Sequence, residues 1–137
     1  MNTKLNKILA EISAGELVDK ITILEIKLAK IKDTEKLKEV EKELISLNIT
    51  FKEFIDESKI KELTKELKEL NLKLWEIENN KRKSEQAKNF GEEFILLARS
   101  VYKTNDERAK IKLKINEILN SNIKEIKFFI HQYLKIL

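Results

Sequence analysis

The sequence predicts an all-α protein: a four-helix antiparallel bundle with coiled-coil-like packing and a short C-terminal tail helix. Three observations carry this. The chain has no proline and only two glycines in 137 residues, so little interrupts long helices. Leu, Ile, Glu and Lys dominate a composition that is 42% hydrophobic and 38% charged, as in long amphipathic helices. Apolar residues recur three and four positions apart in four successive runs, the spacing of a helical seam. One domain over residues 1–137 is expected, with 1–12 as an N-terminal extension and 122–137 as the tail helix.

The first helix is expected from about Ala14 to Lys32. Ser13 and Glu16 fit a capping box in which the serine accepts from the Glu16 amide and the glutamate reaches back to the Ser13 amide. Leu17, Ile21, Leu24, Leu28 and Ile31 form its seam, while Ile23 and Ile26 make a second apolar side. Two apolar sides mean a helix central in a bundle or set at a subunit interface. Asp33-Thr34 opens the second helix, with Leu37, Val40, Leu44, Leu47, Phe51 and Phe54 in phase. Asp56 or Ser58 caps the third, whose seam is Ile60, Leu63, Leu67, Leu70, Leu74 and Ile77 and which extends to about Lys88. After the turn Asn89-Phe90-Gly91, the fourth starts near Glu92. Phe94, Leu97, Val101, Thr104, Arg108, Ile111, Ile115 and Ile118 hold one phase, which favours a single helix with Thr104 and Arg108 as polar members of its seam. Asn120-Ser121-Asn122 ends it. Ile123, Ile126, Ile130, Tyr133 and Leu137 would line the tail helix.

Composition excludes several chemistries. There is no cysteine, which removes disulfides and thiolate sites, and His131 is the single histidine. No metal site, cofactor motif or nucleophile elbow is found, and no cofactor is expected. No apolar run reaches the roughly 20 residues of a membrane span. The N-terminus lacks a secretory pattern, so the cytoplasm is the expected location.

Against 25 lysines stand three arginines, Arg82, Arg99 and Arg108, all in the same region as the only Trp, Trp75. A planar, always-charged fork suits carboxylate or phosphate in a way an ammonium does not. Asn71, Trp75, Glu78 and Arg82 share one stripe of the third helix. Tyr102, Asn105, Ala109, Lys112 and Asn116 share one of the fourth, beside Arg108, and Glu16, Asp19, Lys20 and Lys27 lie near the seam of the first. Packed together, these stripes would form a polar layer. It would be either a pocket for an anionic ligand or a buried salt-bridge network that fixes register, such as Glu78 with Arg108 or Asp19 with Arg82. Whether the chain is an enzyme is left open, with Glu78 or Asp19 as the candidate base.

Lys110, Lys112, Lys114, Lys124 and Lys127 make the chain locally basic, but lysines two apart point in different directions on a helix and the net charge is only +4. Nucleic acid is therefore not an expected partner. The tail, FFIHQYLKIL, is a candidate for covering the bundle, pairing with a second copy or touching a membrane surface.

The segments GELVDKITILEIKLAKI (Gly15–Ile31), LWEIENNKR (Leu74–Arg82) and FILLARSVYKTNDERAKIKLKIN (Phe94–Asn116) resemble a bacterial family of small proteins classed as a domain of unknown function. The resemblance implies an all-helical cytoplasmic protein and brings no established activity or catalytic residues. The expected function is a protein-interaction or scaffold module, with a homodimer or another protein as partner. The alternative is a small anionic-ligand-binding or catalytic bundle centred on Arg82 and Arg108.

Overall fold

A computed structural model describes residues 3–128, and among them the only regular elements are helices: α1 (Ala14–Lys30), α2 (Thr34–Phe54), α3 (Lys61–Gln86) and α4 (Glu92–Ile118). A single 3-10 turn, Glu57–Lys59, precedes α3. The helix starts follow from local chemistry. Ser13 Oγ accepts from the Glu16 amide at 3.1 Å, and Asp33 Oδ1 accepts from the Glu35 and Lys36 amides. Asp56 caps the 3-10 turn rather than α3, whose own cap position, Ile60, has no side-chain bond. The Glu16 carboxylate turns to Lys112, 2.7 Å away, not back to Ser13.

α1 is the axis of the bundle and contacts each of the other three helices. Gly15, Glu16 and Asp19 meet Asn116, Lys112 and Arg108 in reverse order, so α1 and α4 are antiparallel. Asp19 meets Asn71 and Lys30 meets Glu76, so α1 and α3 run the same way and α3 and α4 are antiparallel. The fourth helix is continuous through Thr104, which is buried. The core joins Val18, Ile60, Leu67 and Ile115, with Phe51, Ile55, Leu63 and Ile111 packed around them.

Most of the two apolar sides of α1 is covered inside the chain, but Leu28 is exposed and Ile23 is only half-buried. Gly15, Leu17, Val18, Asp19, Ile21, Thr22, Leu24 and Ile26 are all buried. Centrality accounts for the buried part of this pattern without a second copy of the chain. α2 is the loosest element. Only Val40 is buried, and Phe54, expected in its seam, is exposed because α2 meets chiefly α1.

The expected tail helix does not begin at residue 122. Residues 123–128 carry no helix and lie back along α4, drawn there by ion pairs from Glu125 to Lys112 and from Lys127 to Asp106. Phe129, Ile130, His131, Tyr133 and Leu137 lie outside the described residues.

Candidate functional site

The polar layer forms where α1, α3 and α4 meet. Asp19 lies in the middle of it, with a side chain only 5% exposed. A bare carboxylate there would be costly, and each of its oxygens has a partner. Asn71 Nδ2 donates to Oδ1 at 2.8 Å, and Arg108 Nη2 donates to Oδ2 at 2.7 Å. Thr22, fully buried one turn on, accepts from the same Asn71 amide and donates its hydroxyl to the Asp19 carbonyl. The other arm of the Arg108 fork donates to Asn105 Oδ1 at 2.8 Å. Its Nε is buried and has no partner.

Lys112, one turn further along α4, bonds Glu16 at 2.7 Å and stands 3.9 Å from Asp19 and 3.1 Å from Glu125. Burial alone would push this ammonium down. The hydrogen bonds that Lys112 donates to Glu16 and Glu125, with the charge of Asp19, outweigh it and hold Lys112 above the ordinary lysine value of 10.5.

Beyond the layer, the C-terminal end of α4 closes the N-terminal end of α1. Asn120 takes a left-handed φ of 51°, and the Ser121 amide returns to the Asn116 carbonyl in a Schellman turn. That turn aims two side chains at α1. Ser121 Oγ accepts from the Ala14 amide at 3.0 Å, and Asn116 Oδ1 accepts from the Gly15 amide at 2.6 Å. Two first-turn donors that α1 cannot satisfy itself are thereby paired. Gly15 allows the approach, since a Cβ there would stand 2.5 Å from the Lys112 carbonyl oxygen.

The structure thus brings together Glu16, Asp19, Asn71, Asn105, Arg108 and Lys112, with Asn116 at one edge as a helix cap. Trp75, Glu78 and Arg82 lie to one side, along a cleft of about 490 Å³ that Ile23, Leu74 and Arg108 also line. Arg82 is exposed on its rim, and Asp19 is taken by Arg108 instead. Glu78 pairs with Lys81 at 3.8 Å, not with Arg108. Lys20 is exposed at the edge of a cleft of about 400 Å³ on the α1 side. Arg99 and Tyr102 are outside the layer. Both are exposed.

Thr22, Gly15, Ser121 and Glu125 escape the sequence reading. Two carried a signal: a glycine in the first turn of a helix where alanine would serve better, and a threonine inside an apolar face. Among the described residues no cluster of His, Cys, Asp and Glu could hold a metal ion, and no helix is long and apolar enough to cross a membrane.

A family of unknown function (DUF6165) matches residues 8–132. The chain belongs to this family. The match spans all four helices of the DUF6165 bundle, including α2, and continues through the segment that carries Glu125. Curated proteins and solved structures give no match.

Proposed function

We propose that this DUF6165 protein is a protein-interaction module, in which the polar layer sets helix register and the outer face of early α4 receives a partner. One observation carries the reading. Phe90, Ile95, Leu96 and Tyr102 are each about half exposed within thirteen residues at the α3–α4 end, a run of large apolar side chains left partly open to solvent. The charge balance of the layer supports it from the other side. Asp19, Glu16 and Glu125 face Arg108 and Lys112, three anions against two cations, so the cations of the layer are met without an added anion. The test replaces Ile95 and Leu96 by glutamate and follows molecular mass in solution and co-purification with tagged protein. Loss of self-association or of a specific partner, with the melting temperature kept, is expected. An unchanged mass and partner set would sink the reading.

A second reading, binding of a small anionic ligand, draws on the cleft that joins Arg82 to Arg108 beside Trp75. Arg82 makes no ion pair or hydrogen bond within the described residues and is placed to receive an acid whose apolar body lies on Trp75 and Leu74. Benzoate binding that Arg82→Ala abolishes without a change in melting temperature is the expected result, and equal binding by both proteins ends it.

A further inference from the structure

After α4 the chain turns back along that helix in a defined direction. Glu125 meets Lys112 at 3.1 Å and Lys127 meets Asp106 at 3.0 Å, so the returning segment heads toward the N-terminal end of α4.

Its path follows one stripe. Ile95, Ala98, Tyr102, Asp106 and Ala109 recur three or four positions apart on α4, which puts them on one face. Where the segment lies, the Asp106 side chain is only 24% exposed and Ala109 is half-buried. Further along the same stripe Tyr102 and Ile95 are 57% and 47% exposed, and Ala98 is open as well. The open part is the apolar part.

The residues that come next in the chain suit it. Residues 129–137, FIHQYLKIL, hold six aliphatic or aromatic side chains and one formal charge, on Lys135. Nine residues reach at most about 30 Å, and Ile95 stands only about 16 Å beyond Asp106 along the helix. The family match runs on to residue 132, so the start of this stretch belongs to the same unit as the helices. Because Lys127 ties the chain at Asp106, these residues meet their own stripe at an effective concentration on the order of mM, which a second copy matches only at similar protein concentration.

We propose that residues 129–137 dock on the stripe of Ile95, Ala98 and Tyr102 in the same molecule, as an internal cover for early α4. This goes beyond the interaction reading and leaves it Phe90 and Leu96, since Leu96 lies about 100° round the helix from Ile95 and Phe90 precedes the helix. A partner that also used Ile95 must displace the cover, and its apparent affinity falls by the fraction of molecules in which the stripe is open.

The chain has no cysteine, so Leu134→Cys offers a single site for a nitroxide spin label. In the full chain, without any partner, the amide signals of Ile95, Ala98 and Tyr102 should lose most of their intensity, while that of Phe54, at the other end of the bundle, keeps it. Adding Ile95→Glu and Tyr102→Glu should restore the Ala98 signal; both side chains are exposed, so the fold is kept. The proposal is overturned if the stripe loses no more intensity than Phe54, or if the loss survives the two glutamates. It is also overturned if the loss arises between isotope-labelled and spin-labelled chains mixed together, because the occupant is then a second copy. Since the isolated protein is used, an unchanged partner set in the earlier test leaves this result standing.

Discussion

The two ends of the bundle are held by different means. Where α1 begins and α4 ends, side chains of one helix satisfy the backbone of the other: Asn116 on the Gly15 amide, Ser121 on the Ala14 amide, with the Asp19–Arg108 layer two turns away. At the α3–α4 turn each helix closes on itself. Lys88 adopts φ 54°, the Asn89 amide returns to the Ser84 carbonyl, and Phe90 meets Phe94 edge to face at 5.4 Å. The first end depends on which helix faces which. The second would survive much sequence change. Substitutions should therefore be costly at one end and mild at the other.

The largest effect is expected in the layer. Asp19→Ala removes the partner of a mostly buried guanidinium and should cost about 3–5 kcal/mol in urea unfolding. Adding Arg108→Met should return part of that loss, because the unpaired charge goes with it. A cost below about 1 kcal/mol would mean that Arg108 escapes into one of the three clefts it borders.

Gly15→Ala comes next. Helix propensity alone would make alanine better by about 1 kcal/mol. The new Cβ, however, meets the Lys112 carbonyl oxygen at 2.5 Å and Asn116 Oδ1 at 2.9 Å, and backbone cannot swing aside like a side-chain tip. A net loss of about 1–3 kcal/mol is expected. Equal or greater stability would show that α1 and α4 can separate cheaply, which would undo the contrast between the ends.

Asn116→Ala tests the cap itself. It leaves the Gly15 amide unpaired but also removes a buried Nδ2 that has no partner, so the two changes partly offset and about 1 kcal/mol should be lost. At the opposite end Lys88→Gly should stabilise by about 0.5–1 kcal/mol, since glycine takes the left-handed conformation without a Cβ penalty. The same sign for both substitutions would erase the distinction.

The difference between the ends also explains what could be read from the chain. The starts of α1, α2 and α4 follow from Ser13, Asp33 and Gly91, and the seam of α3 from its heptad spacing, because caps and periodicity are local. Arg108 was legible as a polar member of a core seam, and it does anchor the layer. Its partner was not legible. Asp19 with Arg82 and Glu78 with Arg108 were the pairings the stripes suggested, but Asp19 sits at the level of Asn71, and Arg82 lies about 16 Å further along the same face of α3. Tyr102 shared a stripe with Asn105 and Lys112, yet Lys112 meets Glu16 of α1 while Tyr102 stays exposed, a difference set by where the helices cross and not by helical period.

The smallest effect is a change with pH at the layer. Lys112 is held above its ordinary 10.5 by carboxylates that outweigh its burial, so the charged form is favoured in the folded state. A raised folded value means that the stabilisation is complete below about pH 10.5 and fades as pH climbs through the higher folded value. Other lysines also lose charge there, and the self-repulsion of an increasingly anionic chain lowers stability in general. The quantity to follow is therefore the difference in unfolding free energy between the protein and its Lys112→Met variant. That difference should stay level from pH 7 to about 10 and narrow above 10.5. A difference that widened in that range would mean that burial prevails over the Glu16 and Glu125 contacts, and Lys112 would then gain by losing its proton.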